Sequence, residues 1–342
     1  MSLHTPLCDL LNIKYPIIQA GMGWDKEGLT TPPALVAAVS NAGGLGCIGG
    51  SSIRPEVIRE RIRAVRQLTD KPFGVDITLP KMEDVRIPDP DEVHKEIQEK
   101  FPKHAKFNEE KVPILIIGLG DTAEVVPLAH ERGIKVMALA GAVKHALSHA
   151  RKGADVIIAQ GYEAGGHTGT IGNFPLIPQI VDAVRPKPVV AAGGISDGRG
   201  VAAALALGAV GVWCGTTFLV TREGGINPIY KKQILNGSSE DFVRTAYTSG
   251  HFARHYRSDV IKAWMSSGLE AMPTPYQGNA MDEVRRAAET ANRVDLLHVP
   301  GGQVAGMLSE ERNNVPAREI VERMVSEAAQ ILNDMRSRYV GS

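Results

Sequence analysis

The sequence predicts an α/β protein built as a (β/α)8 barrel, with a helical insertion or lid after strand 8. Three observations lead there. Apolar runs recur that do not alternate with polar residues, as strands covered on both faces require. Amphipathic stretches separate those runs, so the strands lie parallel with helices between them. Eight such units fit into residues 1–220, the number that closes a barrel.

Pro16-Ile17-Ile18-Gln19-Ala20-Gly21 is the first strand, and the stretch from Ala34 to Asn41 is helical, ending at Gly43-Gly44. Leu45-Gly46-Cys47-Ile48-Gly49-Gly50 is the second strand. A helix follows from Pro55 to Thr69, with proline in its first turn and Val57, Ile58, Ile62, Val65 and Leu68 on one side. Phe73 to Leu79 is the third strand. A polar, proline-containing segment then leads to a helix at 91–100. Ile114 to Gly118, Val136 to Leu139 and Val156 to Ala159 are strands four to six, with helices at 122–132 and 142–152 between them. A helix at 176–184, a strand at 188–194, an alanine-rich helix at 198–207 and a strand at 210–216 complete the eight units. A helix from Pro316 to Met335 closes the fold. The alternative, an open doubly wound sheet, wants a Gly-x-Gly-x-x-Gly turn after the first strand, and Gly21-Met22-Gly23-Trp24-Asp25-Lys26 lacks the third glycine.

The domain reading is a barrel over 1–220 plus 296–342, with 221–295 as a mostly helical insertion near the mouth. That insertion carries Arg244, His251, Arg254, His255 and Arg257, which read either as a solvated helix face or as a site for an anionic part of a substrate.

Composition removes several function classes. The 342 residues include 38 basic and 38 acidic side chains, so nothing favours nucleic acid or an anionic membrane. Cys8, Cys47 and Cys214 are far apart and contain no CxxC pair, which argues against disulfides and a zinc site. No cluster has metal-ligand spacing, and no metal is expected. The N-terminus lacks a charged region followed by an apolar stretch, and no run reaches membrane-spanning length. A cytoplasmic protein is expected.

In a barrel, ligands bind at the carboxyl ends of the strands. Those ends carry Gly21, Met22, Gly23, Asp76, Gln160, the Gly165-Gly166-His167 turn, Gly193-Gly194 and Gly215-Thr216. Four glycines between Gln160 and Gly169 let the backbone pass close to a ligand. Among them His167 titrates near neutral pH and can move a proton. Gly193-Gly194 and Gly215-Thr216 follow strands seven and eight, where bare N–H groups commonly hold a phosphate.

These residues make the chain resemble the nitronate monooxygenase family, once called 2-nitropropane dioxygenases, which are FMN-bearing TIM barrels. The likeness rests on Pro16 to Met22, Asn41 to Gly46, Lys71 to Val75, Gln160-Gly161-x-Glu163-Ala164-Gly165-Gly166-His167-x-Gly169, Ala192 to Ile195, Gly215-Thr216-x-Phe218-Leu219 and Gly302-Gln303-x-Ala305-Gly306. It covers nearly the whole chain and is weakest from 222 to 295. The resemblance implies FMN as cofactor, with Gly21-Met22-Gly23 along the flavin ring, Asp76 and Gln160 beside it, and Gly165-Gly166 approaching it. Gly193, Gly194, Gly215 and Thr216 would bind the phosphate, and His167 would be the catalytic acid/base. Two departures stand out. The family commonly has Asn where Asp76 stands, and a carboxylate suits a reduced flavin less well than an amide. Related NADH:quinone reductases carry a Lys in the fifth strand, where this chain has Ala138 and Leu139.

The expected function is oxidation of alkyl nitronates with O2. The alternatives on the same scaffold are an NAD(P)H:quinone reductase, an enoyl-thioester reductase or a dehydrogenase of steroid-catabolic CoA thioesters. A flavin-free binding barrel would leave His167 and the glycines idle. The expected partner is a small molecule (a nitronate, a quinone or an acyl-CoA thioester), and a homodimer is compatible with the sequence.

Overall fold

The computed structural model describes residues 3–23, 30–51, 53–79, 112–274 and 276–339. The segment 80–90 and the helix expected at 91–100 lie outside them. Strands stand where the apolar runs are: β1 (Ile17–Gln19), β2 (Gly46–Gly49), β3 (Phe73–Thr78), β4 (Ile114–Leu119), β5 (Lys135–Ala140) and β6 (Val156–Gln160). A two-residue strand, β7 (Gly166–His167), belongs to a separate sheet. β8 (Val189–Ala192) and β9 (Gly211–Cys214) complete the main one. Its eight strands run parallel in the order β1-β9-β8-β6-β5-β4-β3-β2.

The two edges of that order meet. A parallel bridge joins Ile18 to Leu45, with the Gln19 N–H donating to Leu45 C=O at 2.9 Å and the Leu45 N–H to Ile17 C=O at 3.0 Å. The side chain of Gln19, wholly buried, extends the seam. Its amide Nε2 donates to the Cys47 carbonyl (3.1 Å) and its Oε1 accepts from the Cys47 N–H (3.0 Å). One side-chain amide thus does the work of the missing ladder rungs.

Alternate strand residues fill the interior: Ile18, Leu45, Cys47, Ile116, Met137, Ile158, Val190 and Trp213. A first helix, α1 (Pro6–Leu11), stops one end with Leu7 and Leu11. The opposite residues of the strands pack outward under the helices α2 (Pro33–Asn41), α3 (Pro55–Leu68), α4 (Val125–His130), α5 (Val143–Arg151), α6 (Asn173–Val184) and α7 (Gly198–Ala206). In α3, Ile58, Ile62 and Val65 are buried at helical spacing, while Leu68, expected beside them, is 52% exposed. After β9 comes the short α8 (Thr216–Leu219) and then the insertion, so the helix that completes the outer ring is delayed.

The insertion is not helical throughout. It holds α9 (Pro228–Asn236), an antiparallel hairpin of β10 (Phe242–Thr245) and β11 (Ala253–Tyr256), then α10 (Asp259–Ser267) and α11 (Tyr276–Thr290). The hairpin pairs with β7, Ala253 opposite His167 and Arg254 opposite Gly166. The insertion has its own core of Tyr230, Ile234, Phe242, Leu297 and Val299. Met22 packs against that core, the barrel interior and the outer layer together. After α12 (Glu310–Asn313), the last helix α13 (Ala317–Tyr339) lies against α7 and α2 and fills the vacant place in the ring. Among the described residues no helix is long and apolar enough to cross a membrane.

Candidate active site

Two groups of the expected residues meet at the carboxyl end of the barrel. The first lies on its floor. A Cβ on Gly21 would fall 2.3 Å from the Asp76 Cβ and 2.9 Å from the Ile48 carbonyl, so only glycine lets the end of β1 rest against β3. Met22 C=O accepts from the Thr31 hydroxyl (3.1 Å), which accepts in turn from the Gly49 N–H (2.8 Å). A Cβ on Gly23 would fall 3.6 Å from the Gly49 carbonyl oxygen, an ordinary van der Waals contact. Asp76 points into an otherwise apolar barrel interior and is 7% exposed. Its Oδ1 has no hydrogen-bond partner among the described residues. Burial pushes its carboxyl well above the usual carboxylate range, against the smaller opposing pull of the Gly118 backbone.

The second group is the glycine-rich cradle. Gly193 and Gly194 turn with φ of +97° and +69°, a region L side chains rarely adopt. They bring the end of β8 against Ala164 and Glu163. A Cβ on Gly165 would strike Gly301 and Gly302, the nearest atom at 2.6 Å. The Gly302 N–H donates to the Thr216 hydroxyl at 2.9 Å, which joins that segment to the end of β9. Both Glu163 carboxylate oxygens accept from the Asn173 N–H at 3.1 Å, and the Asn173 side-chain amide donates to the Gly193 carbonyl. Gly215 links the two groups, since a Cβ there would lie 3.2 Å from the Met22 sulfur. Gln160 ends β6 in register with Ala192 and is half-buried.

Buried Asn173 Oδ1 and Thr217 Oγ1 also lack partners among the described residues. No acceptor among the described residues meets the backbone N–H groups of Gly193, Gly194 and Gly215. The start of α7 is not part of that open set. Its N-cap Asp197 already accepts from the Arg199 (3.0 Å) and Gly200 (3.4 Å) N–H groups, so a second anion there would meet a carboxylate.

Gly166 and His167 stand on β7, joined to the hairpin rather than to the floor. His167 Nε2 lies 2.9 Å from the Ser249 hydroxyl, and its ring is edge-on to His251 at 6.2 Å. The ring opens to solvent, yet protein surrounds it closely enough that desolvation, and then His251, lower its pKa below the ordinary 6.5. It is therefore neutral at pH 7 and can accept a proton. The Ser249 hydroxyl donates to the His251 carbonyl at 3.4 Å. With that bond made, His167 Nε2 carries the hydrogen and Nδ1 is left as the basic nitrogen.

The basic cluster proves to be a strand feature, and most of it is structural. Arg254 is 1% exposed. Its guanidinium donates to Ala164 C=O (3.1 Å), Phe242 C=O (2.6 Å) and Tyr162 C=O (2.7 Å) and stacks 4.5 Å from the Tyr162 ring. His255 is buried, and Arg257 faces Asp241 at 3.7 Å. Arg244 lies between the Tyr162 and Phe252 rings and donates to Thr168 C=O at 3.1 Å. Sequence reasoning missed Glu163, Asn173, Ser249 and Gly302 as parts of the site. Gly302 had a signal, its glycine motif. Ser249 had none, because the turn that presents it exists only once the hairpin forms.

A family model described as nitronate monooxygenase matches residues 4–327. A probable nitronate monooxygenase of Staphylococcus saprophyticus is 35% identical, covering 97% of this chain and 100% of that protein. One from Staphylococcus aureus is 33% identical over 95% of this chain and 98% of its own. Among solved structures, FabK from Thermotoga maritima superposes with a TM-score of 0.82 at 35% identity, covering 98% of this chain and 99% of that one. A nitroalkane oxidase from Streptomyces ansochromogenes does so with 0.81 at 28% identity, covering 96% and 99%. With a match that runs from before the first helix into the last, on a barrel of this topology, the chain belongs to the nitronate monooxygenase family and is an enzyme of the oxidoreductase type.

Proposed function

We propose that this enzyme uses FMN to oxidise alkyl nitronates with O2, with His167 as the acid/base at the barrel mouth. The residues fit such a cofactor. Gly21 and Gly23 carry no side chain at the floor where a flat ring would rest, and the buried Asp76 Oδ1 beside it has no hydrogen-bond partner among the described residues. The N–H groups of Gly193, Gly194 and Gly215, which meet no acceptor among the described residues, suit a phosphate with Thr216 beside them, and one such cradle suits a mononucleotide better than a dinucleotide. Bound there, FMN would supply the electron-accepting chemistry, while the chain supplies position and charge.

The observation that carries the reading is the neutral, Ser249-oriented imidazole of His167 at the cofactor end of the barrel. A lone pair on Nδ1 removes a proton from the carbon beside a nitro group; a substrate already ionised needs only to be held, and the imidazole then positions it by hydrogen bonding. The CoA-thioester alternative loses one support. Arg254 and His255 are buried and Arg257 already faces an acid, so those three do not form an open phosphate site.

Anaerobic mixing of the FMN-loaded enzyme with an alkyl nitronate, NADH or NADPH, while following flavin absorbance, tests the reading. Bleaching by nitronate alone is expected. Bleaching by a pyridine nucleotide but not by nitronate would replace this function with a reductase. Release of FAD, or of no flavin, on heating purified enzyme would remove the cofactor from it.

A further inference from the structure

We propose that Asp76 is a neutral carboxylic acid that donates a hydrogen bond from Oδ1 to an acceptor atom of the ring bound at the barrel mouth, an inference that rests on the flavin reading. Asp76 lies in register with Gly49 on one side and Ile116 on the other. Its neighbours in the interior are Cys47, Ile116 and the glycines at 21, 74 and 118. A Cβ on Gly118 would fall 2.9 Å from Oδ1, and one on Gly21 would fall 3.1 Å from Oδ2, so both oxygens are walled by backbone that has no side chain to offer. Among the described residues on β1, β2 and β4, the titratable group facing the carboxyl is the Cys47 thiol. Burial, and after it Asp76, pushes that thiol well above its usual value, so it too stays neutral.

Among the described residues an ionised carboxylate here would have no cation and would leave Oδ1 unmatched, which costs several kcal/mol. Simple protonation removes the charge but leaves a buried hydroxyl without an acceptor, which still costs about 1–3 kcal/mol. The arrangement is satisfied when a ring acceptor meets the acid from above. A protonated acid is donor and acceptor at once, which a carboxylate is not. Ring binding and proton retention then favour each other: each pH step above the Asp76 folded pKa removes the donor and places a negative charge under the ring.

The test compares wild type with Asp76→Asn, a neutral group of the same size. In the apoprotein, denaturant unfolding is measured across pH. A raised folded pKa gives stability that is present at low pH and lost as pH rises through that pKa. The Asn variant should therefore gain on wild type as pH rises, with the difference level at the acid end. FMN titrations of both apoproteins, followed by quenching of flavin fluorescence, give the second reading. Wild-type Kd should rise by up to about tenfold per pH unit above the Asp76 pKa, while the variant lacks that added slope. The FMN phosphate titrates in both and cancels. A stability difference that does not grow with pH overturns the neutral acid. A growing difference with parallel FMN profiles overturns the contact with the ring. No FMN binding by either protein takes down the cofactor reading, and the unfolding data then still report the proton on Asp76. If the variant folds poorly, the infrared carbonyl band of a protonated carboxyl in isotopically labelled wild type reads the same proton, and its absence at neutral pH refutes the proposal.

Discussion

On the proposed function, His167 is one position that is both open to substrate and tuned as a base. Its exposure lets a ligand reach it, and the surrounding protein keeps its proton off. His167→Ala removes little packing, so fold and FMN content should survive. The step that moves a proton from carbon should slow by roughly 10²–10⁴-fold, the usual span for a general base. Preformed nitronate should be affected less than neutral nitroalkane, and flavin reduction by each separates the two roles. The pH profile carries a second signature. A histidine with lowered pKa remains a base further into acid, so the acid limb of kcat/KM for the nitroalkane should fall below pH 6.5. The residue was legible in the sequence because glycines flank it after an apolar strand. Its partner Ser249 lies 82 residues on, in a turn with no apolar or capping signal.

At the level of elements, the hairpin is what the sequence concealed. Its strands read Phe-Val-Arg-Thr and Ala-Arg-His-Tyr, too short and too basic for an apolar pattern. The barrel strands were readable because their partners are other apolar residues, whereas Arg254 is matched by the carbonyls of Tyr162 and Ala164, some 90 residues earlier. Three carbonyls from two segments meet one guanidinium fork, and an ammonium cannot reproduce that geometry. Arg254→Lys and Arg254→Met should each therefore lower stability by about 3 kcal/mol, read from urea midpoints, since unmatched buried carbonyls cost about 1–3 kcal/mol each. A lysine that restored wild-type stability would show that charge rather than geometry matters there. With the fork lost, β7 loosens from β11 and His167 loses its orientation, so kcat should fall along with stability.

For the whole molecule, the insertion brings a weakness to acid. His255 and His298 stack edge-on at 5.4 Å, with Tyr247 against His298 at 5.2 Å. Burial, and then the neighbouring histidines, hold His255 well below its usual value; burial lowers His298 to about 4. These are depressed pKa values, so the stability they confer is present above pH 6.5 and is lost as pH falls toward about 4. Roughly 3 kcal/mol of that loss belongs to His298, from a shift of about 1.4 kcal/mol per pKa unit. His298→Phe should flatten this part of the stability profile, and an unchanged profile would place the acid sensitivity elsewhere. None of this was visible in the sequence, where His255 lies among polar residues and His298 in a short apolar run, more than forty residues apart.

The seam between β1 and β2 bears on the order of events during synthesis. The strand beside β1 on its other edge is β9, with Ile17 opposite Val212, so nearly two hundred residues must be made before that neighbour exists. Until Cys214 has left the ribosome, the ring cannot close, and β1 presents an open edge that invites pairing with another chain. The Gln19 amide and its partner Cys47 are only 28 residues apart, so the contact that ties β1 to β2 has both its members long before β9 exists. β1 therefore has one neighbour within reach soon after it is made and waits for the other until the eighth barrel strand is complete.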